Sequence, residues 1–160
     1  MSKLLTNHQV SSSFSQATLA FLSHLGPRDF ATGAYVTIGP AFPDETVVSV
    51  PSIHHIYPRD FLKSRRVGSK RHHGNALMNM CLLPEATNQR IGAKSPAEYF
   101  AEYSASPDFP KIIASHLIPM DFATRKSFKP SDFAAFLKAR ADLFIEALGK
   151  ALPDVTIRRG

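Results

Sequence analysis

The stretch SDFAAFLKARADLFIEAL, from Ser131 to Leu148, limits what this chain can fold into more than any other. Phe133, Phe136, Leu137, Phe144, Ile145 and Leu148 recur at three- and four-residue spacing, which gathers them on one face of a helix. Ser131 and Asp132 open that helix, and Gly149 and Pro153 are expected to end it. Its aromatic stripe predicts core packing over about 131–150. With 160 residues and 44% apolar composition, the chain can bury a sizeable core without covalent staples. Cys81 is the only cysteine, which excludes an internal disulfide framework and a cysteine-rich zinc site and suits a reducing, cytoplasmic compartment. One domain over residues 1–160 is expected.

Shorter elements precede this helix. Gln16 to Leu25 has apolar residues at helical spacing and stops at Gly26-Pro27. Ala34 to Ile38 and Thr46 to Val50 are β-branched runs that read as strands. Asp60 to Arg66 suits a short helix, and Val67 to Asn75 a glycine-containing loop. Asn79 to Leu83 reads as a second strand, with a helix or tight turn from Pro84 to Arg90. Ser95-Pro96-Ala97-Glu98 is a helix-start signature, because Ser95 can cap and Glu98 can reach back. No segment approaches the roughly 20 apolar residues of a membrane helix. The N-terminus has no sustained apolar region and does not read as a secretory signal.

Residues 53–62 read IHHIYPRDFL, with His54 and His55 in tandem before Pro58. Adjacent residues on a flat strand point to opposite sides. At a strand end, where the backbone turns into a loop, both rings can line one pocket. One can then hold a metal while the other takes a proton. The net charge of the chain is +6, and Arg59 to His73 concentrates it: Arg59, Lys63, Arg65, Arg66, Lys70 and Arg71 stand against Asp60 alone. Such a segment attracts a polyanion, although a solvated loop has the same composition. Hydrolysis of a phosphodiester needs these parts. A histidine suits the deprotonation of water near neutral pH, a cation can absorb charge on the leaving oxygen, and basic residues let phosphate approach.

The stretches HHIYPRDFL and NMCLLPEATNQRIGAK resemble the HNH nucleases, whose ββα-metal motif is a hairpin followed by a helix around one divalent cation. The likeness is greatest to the C-terminal nuclease domain of GmrSD-type, modification-dependent restriction enzymes. It rests on His54-His55-Ile56-Tyr57-Pro58, Asn79 to Leu83 with Thr87-Asn88, Ile91 to Pro96 with Tyr99, and Phe136 with Arg140. It runs from about residue 38 to 148 and is specific from Ile53 to Tyr99. The resemblance implies an α+β fold, with a ββα-metal (HNH, His-Me finger) motif at about 50–100 embedded in a mostly helical domain. It implies His55 as general base, His54 and Asn88 as metal ligands, and Asn79 as the residue that holds the loop and orients His55 by a hydrogen bond.

One imidazole with one amide oxygen favours Mg²⁺ or Mn²⁺, while His54 leaves Ni²⁺ or Zn²⁺ open. The implied partner is DNA, held by Arg59, Lys63, Arg65, Arg66, Lys70, Arg71 and Lys94. Phosphate contacts carry little sequence information, so specificity is expected in an N-terminal nucleotide-hydrolysing domain or subunit that this chain lacks. The implied setting is restriction or defence. Two other readings keep the same fold without the chemistry: a non-catalytic DNA-binding module, and a structural metal-binding interaction domain. His72 and His73 suit phosphate contacts or solvated positions, His116 a structural role, and Cys81 a buried thiol.

Overall fold

The computed structural model describes residues 2–6, 11–36, 51–64 and 74–153. Its elements are helices α1 (Ser2–Leu5) and α2 (Ser13–His24), strand β1 (Pro51–His55), α3 (Arg59–Ser64), strand β2 (Met80–Pro84), α4 (Glu85–Ile91), α5 (Pro96–Tyr103), α6 (Phe109–Ser115), α7 (Met120–Ala123) and α8 (Pro130–Ala151). A 3₁₀ turn, Leu77–Asn79, leads into β2. Helices around one two-stranded antiparallel sheet make the described residues α+β. No helix among them is long and apolar enough to cross a membrane.

Local chemistry accounts for most of the boundaries. The hydroxyl of Ser12 accepts from the Ser15 amide and caps α2 three residues before the expected start. Ser95 and Glu98 form the reciprocal capping box that opens α5. At α8 the helix begins at Pro130, and the Asp132 carboxylate accepts from the backbone N–H of Lys129. Gly149 does not end α8 as expected. It is absent from the glycines with positive φ, and the helix runs through it to Ala151, with the Lys150–Glu146 pair bridging the last turn. A glycine stops a helix only when it turns left-handed, as Gly92 does after α4 at φ 54°.

The strands pair antiparallel, with Pro51 opposite Pro84, His54 opposite Cys81 and His55 opposite Met80. The histidines therefore occupy the last two positions of β1. The expected second strand starts one residue later than the sequence suggested, because Asn79 ends the 3₁₀ turn. Within the expected Ala34–Ile38 strand, the described part makes a single bridge, Arg28 to Tyr35; residues 37–50 lie outside the described residues, including the Thr46–Val50 run. The turn between those bridged residues is closed by Asp29, which accepts from the Thr32 amide and hydroxyl.

The α8 stripe is buried as its spacing predicts. Phe133, Phe136, Leu137, Phe144 and Ile145 join one hydrophobic cluster with Ile56, Tyr57, Leu77, Met78, Met80, Leu83 and Ile91. Tyr57, two residues beyond the histidines, packs against Phe133 and Phe136 with ring centroids 5.3 and 4.8 Å apart. The loop after β1 is thus seated on the last helix. Cys81 lies in the same cluster, and burial pushes its thiol up to about 12.

Candidate active site

The two histidines close β1 and lie in different surroundings. His54 is only 2% exposed, whereas His55 is half-buried. α4 follows β2 without a loop and packs on both strands, which brings Asn88 to the end of β1. His54 Nδ1 lies 2.7 Å from Asn88 Oδ1. The Asn88 amide nitrogen donates to Ser52 Oγ at 2.8 Å, which turns its oxygen toward the imidazole. With an oxygen acceptor in front of it, Nδ1 carries the proton in this arrangement. Burial holds the pKa of His54 down at about 4, with the His55 charge acting the same way and the Asn88 hydrogen bond opposing. His54 is therefore neutral near neutral pH. Its Nε2 is buried without a hydrogen-bond partner among the described residues. The rings of Phe30 and Tyr99 stand nearly perpendicular to the imidazole, at 6.3 and 5.9 Å.

Asn79 is fully buried and braces the turn behind the histidines. Its Oδ1 accepts from the Tyr57 amide at 2.8 Å, and its Nδ2 donates to the carbonyls of Tyr57 at 3.0 Å and Gly74 at 2.8 Å. The hydrogen bond to His55 that the resemblance implied for Asn79 is made instead by Asn75, whose Oδ1 lies 3.1 Å from His55 Nε2. All three polar contacts of the Asn79 side chain go to backbone and none to an imidazole. Asn75 sits in the expected Val67–Asn75 loop and has no motif of its own; only the folded turn shows its place. Burial is the largest influence lowering the pKa of His55, followed by the opposing Asn75 hydrogen bond and then the Arg59 charge. Tyr99 and Arg140 complete the support. The Tyr99 hydroxyl donates to the Ile56 carbonyl at 2.6 Å, and Arg140 bonds the carbonyls of Met78 and Met80, on either side of Asn79.

His54, His55 and Asn88 line one cleft of about 320 Å³, together with Ile53, Pro58, Arg59, Asp60, Gly92 and Ala93. Of the basic residues assigned to nucleic acid, Arg59 belongs to this cleft. Lys63 is exposed and pairs with Asp60 at 3.2 Å. Lys94 is held by both carboxylate oxygens of Glu102, at 2.8 and 3.0 Å, which spends its charge locally. Arg65, Arg66, Lys70 and Arg71 lie outside the described residues, as do His72 and His73. Among the described residues no group of three or more His, Cys, Asp or Glu side chains could hold a metal, so a cation here would depend on His54 with Asn88. His116 is buried, its Nε2 2.6 Å from the Arg28 carbonyl, and it faces Phe30 rather than the cleft.

A larger groove of about 780 Å³ runs along α8, lined by Leu117, Met120, Leu143 and Ala147 among others. It is mostly apolar and contains no histidine. Comparisons of the chain with protein-family models, curated proteins and solved structures found no match.

Proposed function

We propose that this protein is a metal-dependent endonuclease of the HNH type, hydrolysing DNA phosphodiester bonds at the His54–His55 cleft. The observation that carries this reading is the 2.7 Å approach of His54 Nδ1 to Asn88 Oδ1 beside His55, between residues 34 positions apart. The β1–β2–α4 succession is the framework that the ββα-metal motif would require.

The donor set fits a hard, partly hydrated divalent cation. His54 Nδ1 and Asn88 Oδ1, 2.7 Å apart, would hold it together, with the His54 proton on Nε2 instead of on Nδ1. Both donors are neutral, because burial keeps His54 unprotonated at ordinary pH. Anionic charge in the shell must then come from substrate phosphate, which favours Mg²⁺ or Mn²⁺ over the nitrogen- and sulfur-rich shells of zinc. Such a cation, held by His54 and Asn88, would supply positive charge where the leaving 3′ oxygen becomes negative. His55, unprotonated near neutral pH, takes the proton from the attacking water. Arg59 offers charge to the phosphate backbone from the cleft wall. Asn79 keeps the turn in place and touches no substrate.

A plasmid-nicking assay tests this directly, with Mg²⁺, Mn²⁺, Ni²⁺ or EDTA, beside the His55→Ala variant. Metal-dependent nicking abolished by EDTA and by the substitution supports the nuclease. Absence of nicking with every metal, with DNA binding retained, would leave a non-catalytic binding module.

A further inference from the structure

We infer that Asn75 is the positioning residue of His55: it fixes the ring and assigns its two nitrogens, leaving Nδ1 as the atom that accepts a proton. The inference rests on the nuclease reading for its catalytic meaning, but its structural content stands on separate observations. An amide oxygen can only accept a hydrogen bond, so the 3.1 Å contact between Asn75 Oδ1 and His55 Nε2 requires the proton to be on Nε2. A neutral imidazole carries one N–H, so the lone pair is then on Nδ1. Rotating the ring by half a turn would break the contact and place carbon where Nε2 had been.

The backbone around Asn75 is held on both sides. The carbonyl of Gly74 accepts from Asn79 Nδ2, and the carbonyl of Ala76 accepts from the Asn79 backbone N–H at 2.8 Å. Gly74 also lies close against α3: a Cβ there would meet Arg59 Cγ at 3.2 Å and Leu62 Cδ1 at 3.4 Å. Ala76 is fully buried. Asn79 thus reaches His55 indirectly, by bracketing the residue that bonds it. The general need for an oriented base is met here by a loop side chain, not by the turn asparagine itself.

The test uses the full chain with ¹⁵N-labelled histidine, free of metal, and compares wild type with Asn75→Ala and Asn75→Asp; His55 signals are assigned by difference from His55→Ala. Nuclear magnetic resonance should show His55 protonated at Nε2, bare at Nδ1, with the Nε2 proton slow to exchange with water. Asn75→Ala should lose that protected proton and, in nicking assays with Mn²⁺, lower kcat about five- to tenfold at unchanged KM, the effect of one lost hydrogen bond. Asn75→Asp keeps an acceptor and should restore both readouts. Protonation at Nδ1 in the wild type, or an unchanged protected proton in Asn75→Ala, would overturn the inference. If the alanine variant fails to fold, the wild-type and Asn75→Asp spectra still decide it. A wild type that never nicks but gives the expected spectra sinks the nuclease reading and leaves the Asn75 bond standing; nicking by a protein with Nδ1 protonated does the reverse.

Discussion

Arg140 Nη1 donates to the backbone carbonyl of Met80 at 2.8 Å, and the same nitrogen reaches the Met78 carbonyl at 2.8 Å. Its Nε and Nη2 both bond the His116 carbonyl. Arg140 is 1% exposed, and its hydrogen-bond partners are carbonyls rather than a carboxylate. A buried cation in this position is held by aligned dipoles, and burial still lowers its pKa to about 10.

Arg140→Met should therefore be destabilising even though methionine fits an apolar core. It leaves the carbonyls of Met78, Met80 and His116 without their donor, at a cost of about 3 kcal/mol or more. Urea unfolding followed by circular dichroism measures it. A loss below about 1 kcal/mol would show that the carbonyls find other partners.

Acid should weaken the fold over a defined window. Burial is the main cause that pushes His116 down to about 4; the Arg140 and His54 charges add to it, while the hydrogen bond to the Arg28 carbonyl and the Asp29 charge oppose. In the unfolded chain a histidine titrates near 6.5. Between those values the unfolded state holds more protons, so stability is full above about 6.5 and declines as pH falls toward 4. His54 acts in the same direction. The loss from His116 alone is on the order of 3 kcal/mol. Urea midpoints at pH 7 and pH 4.5 should differ, and less so in His116→Gln; equal midpoints for the wild type would refute this.

Metal affinity and folding should separate. Asn88→Ala should weaken Mn²⁺ binding, measured by isothermal titration calorimetry, by about tenfold or more. EDTA should leave the thermal midpoint unchanged, because the core cluster is built of apolar side chains that need no cation to pack. A marked drop in midpoint with EDTA would point to a structural metal instead.

Arg59 and Lys94 should behave differently on DNA. Arg59→Ala should weaken binding across sequences and reduce the salt dependence by about one unit of slope. Lys94→Ala should change little, since that ammonium already faces Glu102 at 2.8 Å. Fluorescence anisotropy over a salt series distinguishes them, and equal effects would contradict the pairing.

The sequence was most legible where periodicity or capping chemistry is local. The α8 stripe and the Ser95–Glu98 box depend on neighbours three or four residues apart, so spacing was enough to find them. The meeting of His54 with Asn88 needed a whole β1–β2–α4 arrangement, and it was readable only through the order of several motifs. Asn75 was not readable. A single asparagine after a basic loop has no period, and its contact with His55 depends on how Asn79 folds the turn. Arg140 stood out beside Phe136 in the resemblance, but its partners did not. Charged residues ordinarily belong outside, and no pattern announces that irregular turns at Met78 and His116 aim their carbonyls inward. Gly149 erred in the other direction, since a residue permitted to break a helix is under no obligation to do so.

Two strands of five residues cannot sustain themselves, and here the fastening arrives from sixty positions downstream through Arg140. Anyone wishing to transplant the histidine cleft into another scaffold must take α8 along with it. Cut before Pro130, the remaining fragment would keep every residue that touches the cleft and lose the clasp that keeps them in register.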